Sequence, residues 1–246
     1  MEKRPGLAER IRFLLRSLSL QGSWCFQHMQ GLGFFYILSP WLAKLHPENP
    51  KDSLRRHTAF FNTNPYMASY LIGVVSRLEA DGRSEETQGA KSALMGPLGA
   101  NGDGLFWATL CPLSAVLGIC MAFFSPLAGI LLMLATFNAF GILTRWKLFE
   151  RGYDGADKPL EYIVERKDRV LINKLSSVLT PLLGFLLGSV GMKTGIPGTV
   201  MAVFLVALGL TLRKQRTWPV LWTVITVSVL LGVLGLRMEM PWFPLK

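Results

Sequence analysis

Uncharged apolar runs dominate the second half of the chain. Leu105 to Phe124, Leu127 to Thr144, Leu175 to Met192, Ile196 to Leu212 and Trp218 to Leu236 each hold 17 to 20 residues without Asp, Glu, Lys or Arg. A helix rises about 1.5 Å per residue, so roughly 17 to 25 apolar residues cross a hydrocarbon core about 30 Å thick. The pattern predicts an all-α integral membrane protein with about five transmembrane helices. Ser125 and Pro126 divide the first two spans at a tight turn. The stretch from Arg145 to Lys174 carries eight basic and six acidic residues and stays in water.

The first half has a different texture. Leu7, Ile11, Leu14, Leu15 and Leu18 recur at helical spacing beside Arg10, Arg12 and Arg16, which predicts a basic amphipathic helix. Such a helix lies on the cytoplasmic membrane face or packs on protein. From Trp24 to Leu45 the chain is apolar but carries Gln27, His28 and Gln30, with Gly31 and Gly33 as soft points and Pro40 as a breaker. This segment, and Phe60 to Val75 with Asn62, Asn64 and Pro65, read as re-entrant hairpin-like pieces. Irregular backbone persists at membrane depth only when buried in protein or lining a watery cavity. The expected organisation is an amphipathic helix over 1–19, a polar-studded half over 20–104, spans over 105–236 and a tail over 237–246.

Composition agrees with this picture: half of the residues are hydrophobic, 17% are charged and the net charge is +10. The basic residues flank the spans, as the positive-inside bias requires, instead of clustering with exposed aromatics as a nucleic-acid surface would. Arg145, Lys147, Arg151, Arg166, Lys167, Arg169, Lys174, Arg213, Lys214 and Arg216 mark cytoplasmic flanks, giving five crossings, a cytoplasmic start and an outward C-terminal tail. The three cysteines form no CxxC pair with spaced histidines, so no metal and no disulfide framework is expected. No cofactor-binding loop of the Walker type is present.

Three strings combine amides, glycines and aromatics inside apolar surroundings. They run Leu20 to Met29 and Gln30, Arg55 to Pro65, and Met95 to Trp107. Neutral amides donate to and accept from sugar hydroxyls, and an aromatic face suits the apolar side of a pyranose. The substrate-binding or translocation candidates are Gln21, Trp24, Gln27, Gln30, His57, Asn62, Asn101 and Asp103. Each has a plainer reading. Gln21, Gln30 and Asn62 could serve as interhelical hydrogen-bonding groups, and Trp24 as a packing residue. Asp103, at the end of a glycine-rich loop leading into the first span, could cap that helix. His28 and His57 lack the electrostatic cradle that a phosphoryl acceptor needs.

In this order, the LQGSW…MQGLGF, RRH…FFNTNP and MGPLGANGDGLFW strings resemble the D subunit (IID) of the mannose/fructose/sorbose family of the phosphoenolpyruvate-dependent sugar phosphotransferase system (PTS). The likeness runs from about Leu18 to Leu236. Matching positions are Gln21, Trp24, Met29, Gln30 and Gly33, then His57, Phe60, Phe61, Asn62, Thr63 and Pro65, then Gly96, Pro97, Gly102, Asp103 and Trp107. The resemblance implies a multi-pass subunit in the bacterial cytoplasmic (inner) membrane. There it pairs with a IIC subunit to carry a hexose or related sugar inward by an elevator-like movement. It also implies soluble IIA and IIB phosphocarriers as further partners in a hetero-oligomer, with IIB phosphorylating the sugar, so that this chain is not itself an enzyme. Cys25, Gln27 and Ala59 depart from the family's usual Asn, Glu and carboxylate. Those departures keep open a non-transporting scaffold or regulatory subunit, and a membrane enzyme acting on lipid-linked substrates ranks behind both.

Overall fold

The computed structural model describes residues 4–48, 55–164, 170–175 and 178. The three spans expected from Leu175 onward lie essentially outside the described residues. Among the described residues the chain is helical and has no strand. Its elements are α1 (Leu7–Ser17), α2 (Gly31–Leu45), α3 (Ala68–Ala80), α4 (Glu86–Gly102), a π-helical segment (Asp103–Leu110), α5 (Cys111–Ala122), α6 (Pro126–Asp154) and the short α7 (Glu161–Val164).

The helices α4 and α5 join through the π segment into one continuous rod, Glu86–Ala122, of 37 residues, and α6 has 29. Both are long and apolar enough to cross a membrane. Only 11% of the most apolar stretch of α6 is buried inside the protein, against 44% for the rod. A soluble core helix would hide its leucines, whereas Leu127, Ile130, Leu131, Leu134, Ile142 and Leu143 are all exposed. The sequence places the first span at Leu105 after a glycine-rich loop. That expectation is overturned, because helix runs through Gly96, Gly99 and Gly102 and begins at Glu86.

Contacts divide the chain into two compact units. One comprises Met1–Leu105 with Asn138–Arg169, and the other Phe106–Phe137 with Val170–Lys246. In the second, α5 and the first turns of α6 form a hairpin after Ser125, whose Oγ accepts the Ala128 N–H at 3.4 Å. Leu113 and Val116 make its small core with Leu117, Cys120, Phe123 and Leu175 packed around them.

The first unit is built around α3, of which nearly every residue is buried. Just before it, Asn64 turns its Oδ1 onto the Tyr66 N–H at 3.0 Å and the Met67 N–H at 3.4 Å, closing the turn that leads into α3. At its end Gly82 takes φ +74, with Gly82 N–H bonded to Glu79 C=O and Arg83 N–H to Leu78 C=O, the paired pattern of a Schellman stop. The C-terminal turns of α6 lie directly on α3. A Cβ at Gly152 would overlap the Tyr70 carbonyl, and one at Gly73 would overlap the Phe149 carbonyl. Absent side chains therefore set this spacing.

Pro40 does not break its helix as the sequence suggests; α2 runs through it. A helical proline leaves the carbonyl four residues earlier without its donor. Here that carbonyl, Tyr36 C=O, accepts from Arg16 Nη1 at 2.6 Å and Ser39 Oγ at 3.0 Å. The Arg16 guanidinium also sits 4.2 Å from the centre of the Tyr36 ring. Helix α1 meets protein through Phe13, which packs on Trp41 and Phe149, and through buried Ser17. Its stripe of Leu7, Ile11, Leu15 and Leu18 faces outward.

A matched pair of substitutions tests the close approach. Gly152→Ala should lower stability by about 1 to 3 kcal/mol through overpacking. Gly96→Ala, where an added Cβ meets nothing within 4 Å, should be neutral or stabilising by up to about 1 kcal/mol through helix propensity. Thermal unfolding of both variants in detergent gives the comparison.

Candidate functional site

The first polar string folds as a succession of turns. Cys25 and Met29 exchange backbone hydrogen bonds at 3.1 and 2.8 Å, and Met29 takes φ +50, a left-handed conformation rare for a side chain of its size. The second string lies alongside it: Gln30 N–H donates to Phe61 C=O at 2.8 Å and Phe61 N–H to His28 C=O at 3.3 Å. The two strings thus meet through backbone, between residues 28–30 and 61.

At this junction the buried Gln30 carboxamide holds both backbone groups of Thr63. Its Nε2 donates to Thr63 C=O at 2.9 Å, and its Oε1 accepts from Thr63 N–H at 3.1 Å. Thr63 Oγ1 then donates to the Met95 carbonyl of α4 at 2.9 Å. The neighbouring residue, Asn64, donates from Nδ2 to Asp103 Oδ1 at 2.9 Å while its Oδ1 holds the turn before α3. Gly102 permits that contact, since a Cβ there would overlap the Asn64 side chain. From α6, Arg145 Nη1 donates to Pro65 C=O at 3.1 Å, and its guanidinium lies 4.2 Å from the Tyr66 ring centre. Three helical elements therefore clamp the Asn62–Pro65 loop.

Of the residues singled out in the sequence, Gln30, Asn62 and Asp103 come together here. Asn62 and Asp103 remain exposed at the surface of the clamp, and the Asn62 N–H makes only a weak 3.4 Å contact with Met95 Sδ. Gln21, Trp24 and Gln27 are exposed on the first string and make none of these contacts, and half-exposed Asn101 makes none either. The capping role considered for Asp103 is corrected: it opens a π segment in the middle of the rod, where no helix begins. π segments interrupt long helices and commonly coincide with functional positions.

His57 belongs to a second buried cluster. Its Nε2 stands 2.9 Å from Glu79 Oε1, and both side chains are fully buried. Glu79 also receives Arg56 Nη2 at 3.1 Å and Ser84 Oγ at 3.0 Å, with His46 Nε2 at 2.9 Å. Buried Lys91 sits alongside, its Nζ donating to Arg56 C=O at 3.3 Å. Burial pushes the His57 imidazole below its ordinary value, more than the Glu79 hydrogen bond raises it. Burial alone would raise the Glu79 carboxyl, yet hydrogen bonds from His57 and Arg56 outweigh that and hold it down to about 2. A fully buried His57 offers no face to a phosphoryl donor. Among the described residues no group of three or more His, Cys, Asp and Glu stands close enough to hold a metal.

Residues 8–196 match the family model for the PTS mannose/fructose/sorbose family IID component. The chain belongs to this family. It is 41% identical over 148 residues to the mannose-specific EIID component of Escherichia coli K12, covering 56% of this chain and 52% of that protein. It is 33% identical over 162 residues to the fructose permease IID component of Bacillus subtilis 168, covering 62% and 58%. The chain thus spans about half the length of the curated relatives it matches. Among solved structures, it is similar to a chain of the mannose transporter ManYZ in complex with microcin E492, at 29% identity, a TM-score of 0.59 and coverage of 95% and 97%. A second chain, from a structure described only as a membrane protein, gives 28% identity, a TM-score of 0.71 and the same coverage. As a IID component the chain is a membrane protein of the sugar PTS.

Thr63, Asn64, Glu79 and Arg145 are the working residues absent from the sequence-derived candidates. Glu79 had a legible signal, a carboxylate at the end of an apolar helical run, where burial is costly without partners. Its depressed pKa sets an acid limb. The contribution to stability is complete above about pH 4.5 and is lost as pH falls toward about 2. His57, charging more readily when unfolded, adds loss that begins below about pH 6.5. Thermal midpoints measured from pH 7 to 3 should fall accordingly. Glu79→Gln should flatten the lower part of that limb while costing about 1 to 3 kcal/mol at pH 7, because a buried group loses its charge-assisted hydrogen bonds to Arg56 and His57.

Proposed function

We propose that this chain is the membrane subunit of a mannose-family PTS permease. With a IIC subunit it forms the translocator that imports a hexose or related sugar across the bacterial cytoplasmic membrane, for phosphorylation by a IIB partner charged through IIA. The single observation that supports this most is the clamped loop. Asn62 and Asp103 stay accessible on a frame whose other members, Gln30, Thr63 and Asn64, are buried and hydrogen-bonded. An accessible amide and carboxylate held on rigid backbone are suited to sugar hydroxyls or to a companion subunit's polar groups. The rod Glu86–Ala122 and α6 supply two crossings in this reading, and the apolar runs after Leu175 supply three more. The polar-studded segments 20–104 dip into the protein interior beside IIC. Phosphoryl chemistry resides in the soluble partners.

A scaffold reading rests on one particular. Cys25 and Gln27 stand where the family resemblance expects an amide and a carboxylate, and Gln27 is exposed on the first string. Loss of that carboxylate removes one sugar or partner contact while leaving the Gln30 clamp intact.

Co-expression with cognate IIA, IIB and IIC should give phosphoenolpyruvate-dependent sugar uptake. Asn62→Ala and Asp103→Asn should each reduce uptake about tenfold, the loss of one good polar contact. Uptake that survives deletion of this chain would sink the transport reading. Uptake that appears only with Cys25→Asn combined with Gln27→Glu would establish the scaffold one.

A further inference from the structure

The tip of the first string is a closed loop. Cys25 and Met29 bond each other through both backbone groups, so Phe26, Gln27 and His28 project between them. The loop is also braced from outside, because His28 C=O accepts from Gly31 N–H at 2.8 Å and from Phe61 N–H at 3.3 Å. On this braced tip Phe26 is 87% exposed, more than any other large hydrophobic side chain among the described residues. Trp24 and Phe60, on the two chain segments that meet here, are exposed as well. Phe61, by contrast, turns inward onto Phe34, with 4.1 Å between ring centres.

Neither water nor lipid suits this surface. Single apolar side chains scattered over a protein are ordinary, but an aromatic held out on fixed backbone, with two more on the adjoining segments, gathers apolar area that water penalises. Lipid fails for a different reason. Among the described residues the N–H groups of Phe26, Gln27 and His28 meet no acceptor, and a hydrocarbon core offers them none. The exposed carboxamides of Gln21 and Gln27 add polar groups that lipid cannot answer. A protein surface supplies both an apolar pocket and polar groups around it, the make-up of a specific interface.

Shape and position select which protein. A projecting loop does not suit a small sugar, since small-ligand sites are concave. A soluble partner that comes and goes would return the aromatics to water at each departure, whereas a permanent partner keeps them covered. The braced tip also continues into the clamped loop, because Gln30 N–H donates to Phe61 C=O at 2.8 Å and Phe61 precedes Asn62. A partner seated on residues 25–29 is thus placed next to the segment that carries accessible Asn62.

Resting on the reading of this chain as the companion of a IIC subunit, we propose that the 25–29 loop is its anchor on IIC. Phe26 enters an apolar pocket of that subunit, and the loop N–H groups with the Gln27 carboxamide meet polar groups around the pocket. Because both ends of the loop are already bonded before docking, little conformational freedom is lost when it binds. Aromatic anchors of this kind carry a large share of interface affinity.

The full chain is co-expressed with its cognate IIC, carried into detergent and captured through a tag on IIC, and retention through serial dilution gives the dissociation constant. The unaltered chain should be retained. Phe26→Ala should bind IIC about thirtyfold more weakly, as expected when an interface anchor is truncated. Its own thermal midpoint should not move, since the side chain removed is exposed. A benzophenone side chain placed at position 26 and photoactivated in membranes should crosslink to IIC. Should Phe26→Ala lower the midpoint, that crosslink decides. Equal retention of Phe26→Ala and the unaltered chain would overturn the anchor while leaving the IIC pairing standing, as would a crosslink to lipid or to a second copy of this chain alone. Failure of IIC to retain the unaltered chain would overturn the pairing, and the anchor with it.

Discussion

The grip of one side-chain amide on one backbone residue organises the first unit. Gln30 answers both the N–H and the C=O of Thr63, so a loop that pairs with no sheet keeps its buried polar groups satisfied. An unanswered buried backbone group costs about 1 to 3 kcal/mol, and Gln30 removes two such costs at once. From this fixed point the chain places Asn64 Oδ1 to close the turn before α3, Thr63 Oγ1 to reach α4 and Asn64 Nδ2 to reach Asp103. Accessible Asp103 takes its place from the Asn64 bond, and accessible Asn62 from the clamped Thr63 beside it.

The same economy recurs wherever regular structure is interrupted. Pro40 strips a donor from Tyr36 C=O, and Arg16 replaces it. Pro65 ends the loop with a carbonyl that Arg145 takes. Guanidinium groups with several donors suit this role because one arm can bond a carbonyl while the plane rests on a ring, as Arg16 does on Tyr36 and Arg145 on Tyr66. Charges that the sequence presents as positive flanks therefore also hold backbone in place. Glu79 does the complementary work, gathering Arg56, His57, His46 and Ser84 around a buried carboxylate beside the entry to the clamped loop.

Hydrophobic patterning disclosed the membrane character, the turn at Ser125–Pro126 and the outward-facing stripe of α1, because each depends on local spacing. The motif strings disclosed the family. Patterning misplaced the start of the first apolar helix, since glycines that look like loop residues are helical when neighbours need close approach, as Gly102 does against Asn64. It misread Pro40, because the compensating donor is Arg16, twenty residues before the Tyr36 carbonyl it serves. It grouped His57 with the sugar strings by proximity in sequence, although its partner Glu79 lies on the far end of α3. Pairings between distant residues, Arg145 with Pro65 above all, leave no periodic trace.

The Gln30 carboxamide holds the Asn62–Pro65 loop in place. Hydrogen–deuterium exchange on the full chain and its Gln30→Leu variant tests it most directly. Exchange across residues 61–67 should accelerate in the variant, with the α5–α6 hairpin unchanged. Equal protection of residues 61–67 in the two proteins would contradict it.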